Sequence, residues 1–78
     1  MAELQKTLHD IAAAIVDSPE EVKVTCEEDE DTINMTLSVA PDDMGMVIGR
    51  HGKIAKAIRT VIKAAAAPTG KKVNVEIR

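Results

Sequence analysis

The sequence contains no phenylalanine, tyrosine or tryptophan. Any hydrophobic core must therefore be aliphatic. Nucleic-acid modules that stack bases on exposed aromatic rings, such as RRM sheets and many OB folds, are excluded. Cysteine occurs once, at Cys26. One cysteine makes no internal disulfide and has no partner at zinc-ligand spacing. It stands where a strand pattern calls for an apolar residue and reads as a small core hydrophobe. No apolar run approaches the roughly 18 residues of a membrane-spanning helix. The start Met1-Ala2-Glu3-Leu4-Gln5 lacks the basic opening and long apolar stretch of a signal peptide. A cytoplasmic protein with no membrane insertion is expected. Ser18, Thr60 and Thr69 lack a nearby His–Asp arrangement for nucleophilic catalysis. Asp42 and Asp43 are adjacent at a helix start and point to different faces, a poor acid/base pair or metal site. The expectation is a non-catalytic chain with no cofactor, no metal and no small-molecule substrate.

What is present fits one small domain, residues 1–78. The net charge of −3 hides a division. Residues 1–41 hold ten acids and two bases, a net −8, whereas residues 42–78 hold eight bases and three acids, a net +5. Such asymmetry points to a polyanion site in the second half, or, more plainly, to two differently charged solvated surfaces.

Leu4, Leu8, Ile11 and Ile15 recur at helical spacing and predict an amphipathic helix over about 3–17, ended by Ser18-Pro19. Val22, Val24 and Cys26 alternate with polar residues as a strand. The five acids Glu27-Glu28-Asp29-Glu30-Asp31 read as an exposed loop, because such a run resists burial. Ile33, Met35, Leu37 and Val39 form the return strand of a hairpin, with Met35 in the core. Pro41-Asp42-Asp43 opens a short helix, about 41–48, since proline suits the first helical position and acids complement the dipole. A second helix, about 53–67, carries Ile54, Ile58, Val61, Ile62 and Ala65 as its apolar residues and Lys53, Lys56, Arg59 and Lys63 largely on another face. Pro68 and Gly70 stop it, and Val73, Val75 and Ile77 alternate as a third strand. The fold class is α+β: order α-β-β-α-α-β, a three-stranded sheet with three helices packed on one face.

Between the last two helices stands Gly49-Arg50-His51-Gly52. Glycine allows a sharp turn and lets a phosphate approach the main chain. The loop leads into a helix N-terminus, where N–H groups and the dipole favour an anion. Arg50 adds a forked donor matched to phosphate, and Lys53 and Lys56 follow. By itself the glycine pair reads equally well as a tightly packed helix–turn–helix connection. His51 is either a spacer or a group that gains charge as pH falls.

In this topology Met46-Val47-Ile48-Gly49-Arg50-His51-Gly52 resembles the aliphatic-Gly-x-x-Gly signature of a KH domain, and the element order resembles the type II, or prokaryotic, arrangement. Val39-Ala40-Pro41-Asp42-Asp43-Met44-Gly45, the stretch from Ile54 to Ala65, and the ending Gly70-Lys71-Lys72-Val73-Asn74-Val75-Glu76-Ile77 are similar to the small bacterial single-KH proteins of the KhpA (YlqC) family, most strongly over residues 38–77. The core KH motif would span about 33–77. The resemblance implies binding of single-stranded RNA, with about four nucleotides in a groove and their bases against aliphatic residues. It gives the backbone clamp to Gly49, Arg50, His51 and Gly52, and the groove floor to Ile48. It also implies RNA-chaperone-like, post-transcriptional control with effects on cell envelope, cell shape and cell length. Its implied partners are RNA and either a second copy of itself or a larger KH-containing protein. The alternative is an adaptor subunit with little RNA binding of its own. Ile54 stands one step before the position where many KH domains place a large aliphatic residue, a rotation of ~100° on the helix. It is expected at the groove mouth or against a partner chain.

Overall fold

The structure, a computed structural model, describes residues 2–78. Ile33, Met35 and Leu37 place one aliphatic side chain at every second position, and all three are buried almost completely. Their strand, β2 (Thr32–Ser38), is the middle one of three, between β1 (Lys23–Glu28) and β3 (Lys72–Ile77). β1 pairs with β2 antiparallel, setting Cys26 opposite Met35. β3 pairs with β2 in parallel, setting Val75 opposite the same Met35. A parallel pair needs a crossover. The chain between β2 and β3 supplies it as α2 (Met44–Ile48) and α3 (Lys53–Ala66). α1 (Ala2–Ile15) joins them, packing on α3 and on β1 and β2. One face of the sheet is thereby covered. The other is polar, and on it the Asn74 side-chain amide donates to Asn34 Oδ1 at 2.9 Å. The α-β-β-α-α-β order and the α+β class are as expected.

Three details differ from the sequence expectation, each for a local reason. In α1 the buried line is Leu4, Leu8 and Ala12, continued by Val16 just past the helix, while Ile11 and Ile15 are only partly buried at its edge. Ala12 lies fully buried, so no longer side chain holds the helix off the layer beneath it. The acid run is not one loop. Glu27 and Glu28 continue β1, opposite Asn34 and Ile33, and the connection is only Asp29-Glu30-Asp31. It closes because Asp29 Oδ1 accepts from the N–H groups of Asp31 (2.9 Å) and Thr32 (2.8 Å), an Asx turn. A strand tolerates the two glutamates because their side chains remain in water. In α3 the buried stripe is Ala55, Ile58, Ile62 and Ala66, whereas Ile54, Val61 and Ala65 are exposed. Small alanines at both ends of that stripe let α3 sit close to the sheet, and the larger residues turn outward. Cys26 and Met35 fall as expected, one half-buried against the core and the other inside it.

Asp43 is the one buried charged residue among those described, 3 % exposed. It is the last residue of the 3₁₀ turn Pro41–Asp43 that leads into α2. Its Oδ2 accepts the Ser18 N–H at 3.0 Å, tying the segment after α1 to the start of α2. Nothing in the spacing of Asp42 and Asp43 distinguishes this anchor from its exposed neighbour. Replacing Asp43 by alanine strands a buried N–H, and Asp43→Ala should lose about 1.5–3 kcal/mol of stability in urea unfolding. Asp42→Ala should change stability by less than about 0.5 kcal/mol.

Candidate nucleic-acid interface

The site begins where α2 stops. Gly49 takes φ 74° and ψ 176°, in a region that residues with a Cβ avoid. Space forbids a side chain there as well. A Cβ on Gly49 would lie 2.9 Å from Ile54 Cβ, 3.0 Å from the Ile54 backbone nitrogen, and closer still to Ile54 Cγ1. The first turn of α3 therefore folds directly onto the Gly49 main chain. The Gly49 N–H donates to the Gly45 carbonyl at 2.9 Å, completing α2, and the Gly52 N–H donates to the Gly49 carbonyl at 3.2 Å, closing the turn.

His51 and Gly52 then both adopt left-handed backbone, at φ 57° and φ 73°. Around Gly52 nothing lies within 4 Å of where a Cβ would be, so conformation alone selects glycine there. His51 is the only non-glycine with positive φ among the described residues. Such a conformation costs an L-residue about 1–2 kcal/mol, and strained backbone of this kind clusters at functional sites. The turn leaves Arg50 and His51 exposed at its tip. Gly52 stands at the N-cap of α3 with no side chain to cap it, so the helix end is accessible to an anion.

The residues expected to act together are brought together. Ile48 is 39 % exposed beside the loop, an open aliphatic surface where a base could rest. Arg50, Lys53 and Lys56 are exposed, and none of them enters an ion pair among the described residues. The other bases differ. Lys6 pairs with Asp10, Lys71 with Glu28, and Arg78 with Glu76. Lys23 and Lys72 also enter no ion pair among the described residues, but most of the unpaired positive charge lies on the loop and on α3. Ile54 is 39 % exposed, with one side against Gly49 and the other to solvent.

Basic residues continue along α3 beyond Lys56. Lys56, Arg59 and Lys63 fall at i, i+3 and i+7 and share a face of α3. Arg59 Nε donates to the Val75 carbonyl at 3.2 Å, reaching from α3 to the free edge of β3. That bond fixes a side chain that would otherwise sample many rotamers. The signal in the sequence was the heptad spacing of the bases. The partner, 16 positions away, could not be read from it. Among the described residues no group of three or more His, Cys, Asp or Glu could hold a metal, and no helix is long and apolar enough to cross a membrane.

Comparison with known proteins agrees with this geometry. The family model of the KhpA/KhpB KH domain matches residues 5–77. The RNA-binding protein KhpA of Clostridium acetobutylicum is 54 % identical over 74 residues, 95 % of this chain and 99 % of that protein. The RNA-binding protein KhpA of Caldanaerobacter subterraneus subsp. tengcongensis is 52 % identical over 77 residues, 99 % of each. Among solved structures, Era in complex with MgGDPNP and nucleotides 1506–1542 of 16S ribosomal RNA superposes with a TM-score of 0.70 at 16 % identity, covering 95 % of this chain and 28 % of that one. This last likeness concerns the fold alone. With a KH fold, a glycine-paired loop between α2 and α3, and a family match over nearly its whole length, the chain belongs to the KhpA/KhpB KH-domain family.

Proposed function

We propose that this chain is a non-catalytic, single-domain, cytoplasmic binder of single-stranded RNA that clamps the backbone with Gly49-Arg50-His51-Gly52. The observation that carries the reading is the Gly49–Ile54 close approach, which turns the chain so that exposed main chain, Arg50 and the N-terminus of α3 face one way. A strand laid there has phosphates against the loop, with Lys53 and Lys56 beside them. Its bases lie on Ile48 and Ile54, aliphatic surfaces standing in for the rings this chain lacks. Contact with the backbone and with aliphatic surface carries little sequence information, which suits a chaperone-like or broadly acting post-transcriptional regulator. Relatives bearing the name RNA-binding protein support the same reading.

Arg59 belongs to this site. Anchored on Val75, its guanidinium still has terminal N–H donors to offer a base edge or a phosphate in a fixed geometry. A lysine would keep the charge and lose the fork.

A second reading, pairing with another copy or with a larger KH protein, rests on a different observation. Ile54 and Val61 are exposed at 39 % and 48 %, and with the exposed Ala57 and Ala64 they form an apolar line along α3. The line shares Ile54 with the base-contacting surface, while Ala57, Val61 and Ala64 lie on a different face of the helix from the basic stripe.

Three outcomes are expected. Fluorescence anisotropy with a mixed-sequence single-stranded RNA should show log affinity falling with log salt at a slope of about −2, corresponding to three neutralised phosphates. Gly49→Asp/Gly52→Asp, shown folded by circular dichroism, should not bind. Binding retained in that variant would remove the loop from the site. Arg59→Lys should weaken RNA about tenfold, with the salt slope unchanged because the charge is kept; an unchanged affinity would leave Arg59 only a cover for the β3 edge. Val61→Glu should convert any salt-stable dimer to monomer in light scattering while leaving the circular dichroism spectrum intact, and an unaltered mass would discard the α3 apolar line as the interface.

A further inference from the structure

The basic face of α3 does not end in open surface. Beyond Arg59 it reaches a pocket of about 330 Å³ between the C-terminal half of α3 and the start of β3, lined by Lys63, Lys71, Lys72, Val73 and Asn74. Lys63 lies ten residues after Lys53 on one continuous helix, so the pocket is ~15 Å from the loop. Three lysines line it, while the side-chain amide of Asn74 is already given to Asn34. Glu28, on the far strand of the sheet, reaches across and takes Lys71 in an ion pair. The Asp29–Asp31 turn abuts the same corner, where the Lys72 N–H donates to the Asp31 carbonyl at 2.9 Å. An acid of the first half and a base of the second thus pair at this corner.

Resting on the RNA-clamp reading above, we propose that this pocket is a second phosphate subsite, reached only by strands longer than the loop groove holds, and that Glu28 is a built-in competitor for Lys71. A strand that leaves the loop and follows Lys56, Arg59 and Lys63 arrives at the pocket with a phosphate. Lys63 and Lys72, which enter no ion pair among the described residues, receive it. Lys71 joins when its ammonium exchanges the Glu28 carboxylate for the phosphate. A partly exposed pair is weak enough in water for that exchange. The hydrogen bond from Lys71 holds the Glu28 carboxyl below the usual carboxylate range, so the competitor is charged at neutral pH. The carboxylates of Asp29, Glu30 and Asp31 stand past the pocket and end the track by repulsion, so the bound length has an upper limit.

Two RNAs test this, a 4-mer that fills the loop groove alone and a 10-mer that reaches the pocket, each titrated by anisotropy across a salt series. Lys63→Gln/Lys72→Gln should make the 10-mer slope shallower by about 1.4 and leave the 4-mer slope unchanged. Glu28→Gln should tighten the 10-mer several-fold, steepen its slope by about 0.7, and leave the 4-mer unaffected, since ~15 Å exceeds the screening length of ~8–10 Å. Lysine variants that leave the 10-mer slope unchanged, or weaken both RNAs equally, overturn the subsite. A length-dependent effect of the lysines with none from Glu28→Gln overturns the competitor and keeps the subsite. If Gly49→Asp/Gly52→Asp abolishes binding of both RNAs while the lysine variants show no length dependence, the clamp stands and this inference falls. If the wild-type chain binds neither RNA, both fall together.

Discussion

The contact between the Gly49 main chain and Ile54 governs the arrangement of the functional surface. No Cβ fits between them. Because α3 begins against bare backbone, the chain reverses within four residues and α2 and α3 meet at a close angle. That reversal leaves Ile48 and Ile54 both exposed beside the loop, leaves Arg50 and His51 exposed at its tip, and leaves the start of α3 without a side-chain cap. The left-handed His51 and Gly52 are the backbone consequence of making the turn so tight. A larger residue at Gly49 would push the start of α3 away from the end of α2.

Charge is distributed by the same logic. A chain with net charge −3 is a poor general attractor of polyanions. Yet its described bases outside the loop and α3 include three that are engaged with carboxylates, while those on the loop and α3 are left to solvent. Most acids lie on the first half of the chain, in α1, the segment after it, β1 and the hairpin. Beyond about 8–10 Å their repulsion is screened at physiological salt. Local positive field therefore survives an overall negative sum. The ion pair that joins the two halves, Glu28 on Lys71, interrupts that field.

The absence of aromatic residues shapes both the interior and the surface. The core is built from Leu, Ile, Val, Met and Ala, whose small cross-sections let three helices lie on a narrow sheet. Alanine does much of this: Ala12, Ala55 and Ala66 are buried at helix positions where larger side chains would lift the helices outward. The same composition leaves aliphatic side chains, Ile48 and Ile54, rather than rings exposed beside the loop.

The sequence by itself determined the element types, their order and the loop. Period-two and helical spacings are set by local backbone geometry, and glycine pairs are set by local conformational need, so both are legible without partners. The tertiary structure decided which residues of each stripe were inside. Ile11 and Ile54 look as apolar as their buried neighbours, but packing chose Ala12 and Ala55 because close approach of whole helices outweighs the burial of one larger side chain. It also decided every contact between distant residues: Asp43 with Ser18, Arg59 with Val75, and Lys71 with Glu28. These depend on where two elements come to rest against a shared core, which no local rule specifies. They convert an exposed-looking acid into an anchor, a surface arginine into a fixed donor, and a run of acids into a neighbour of the basic track.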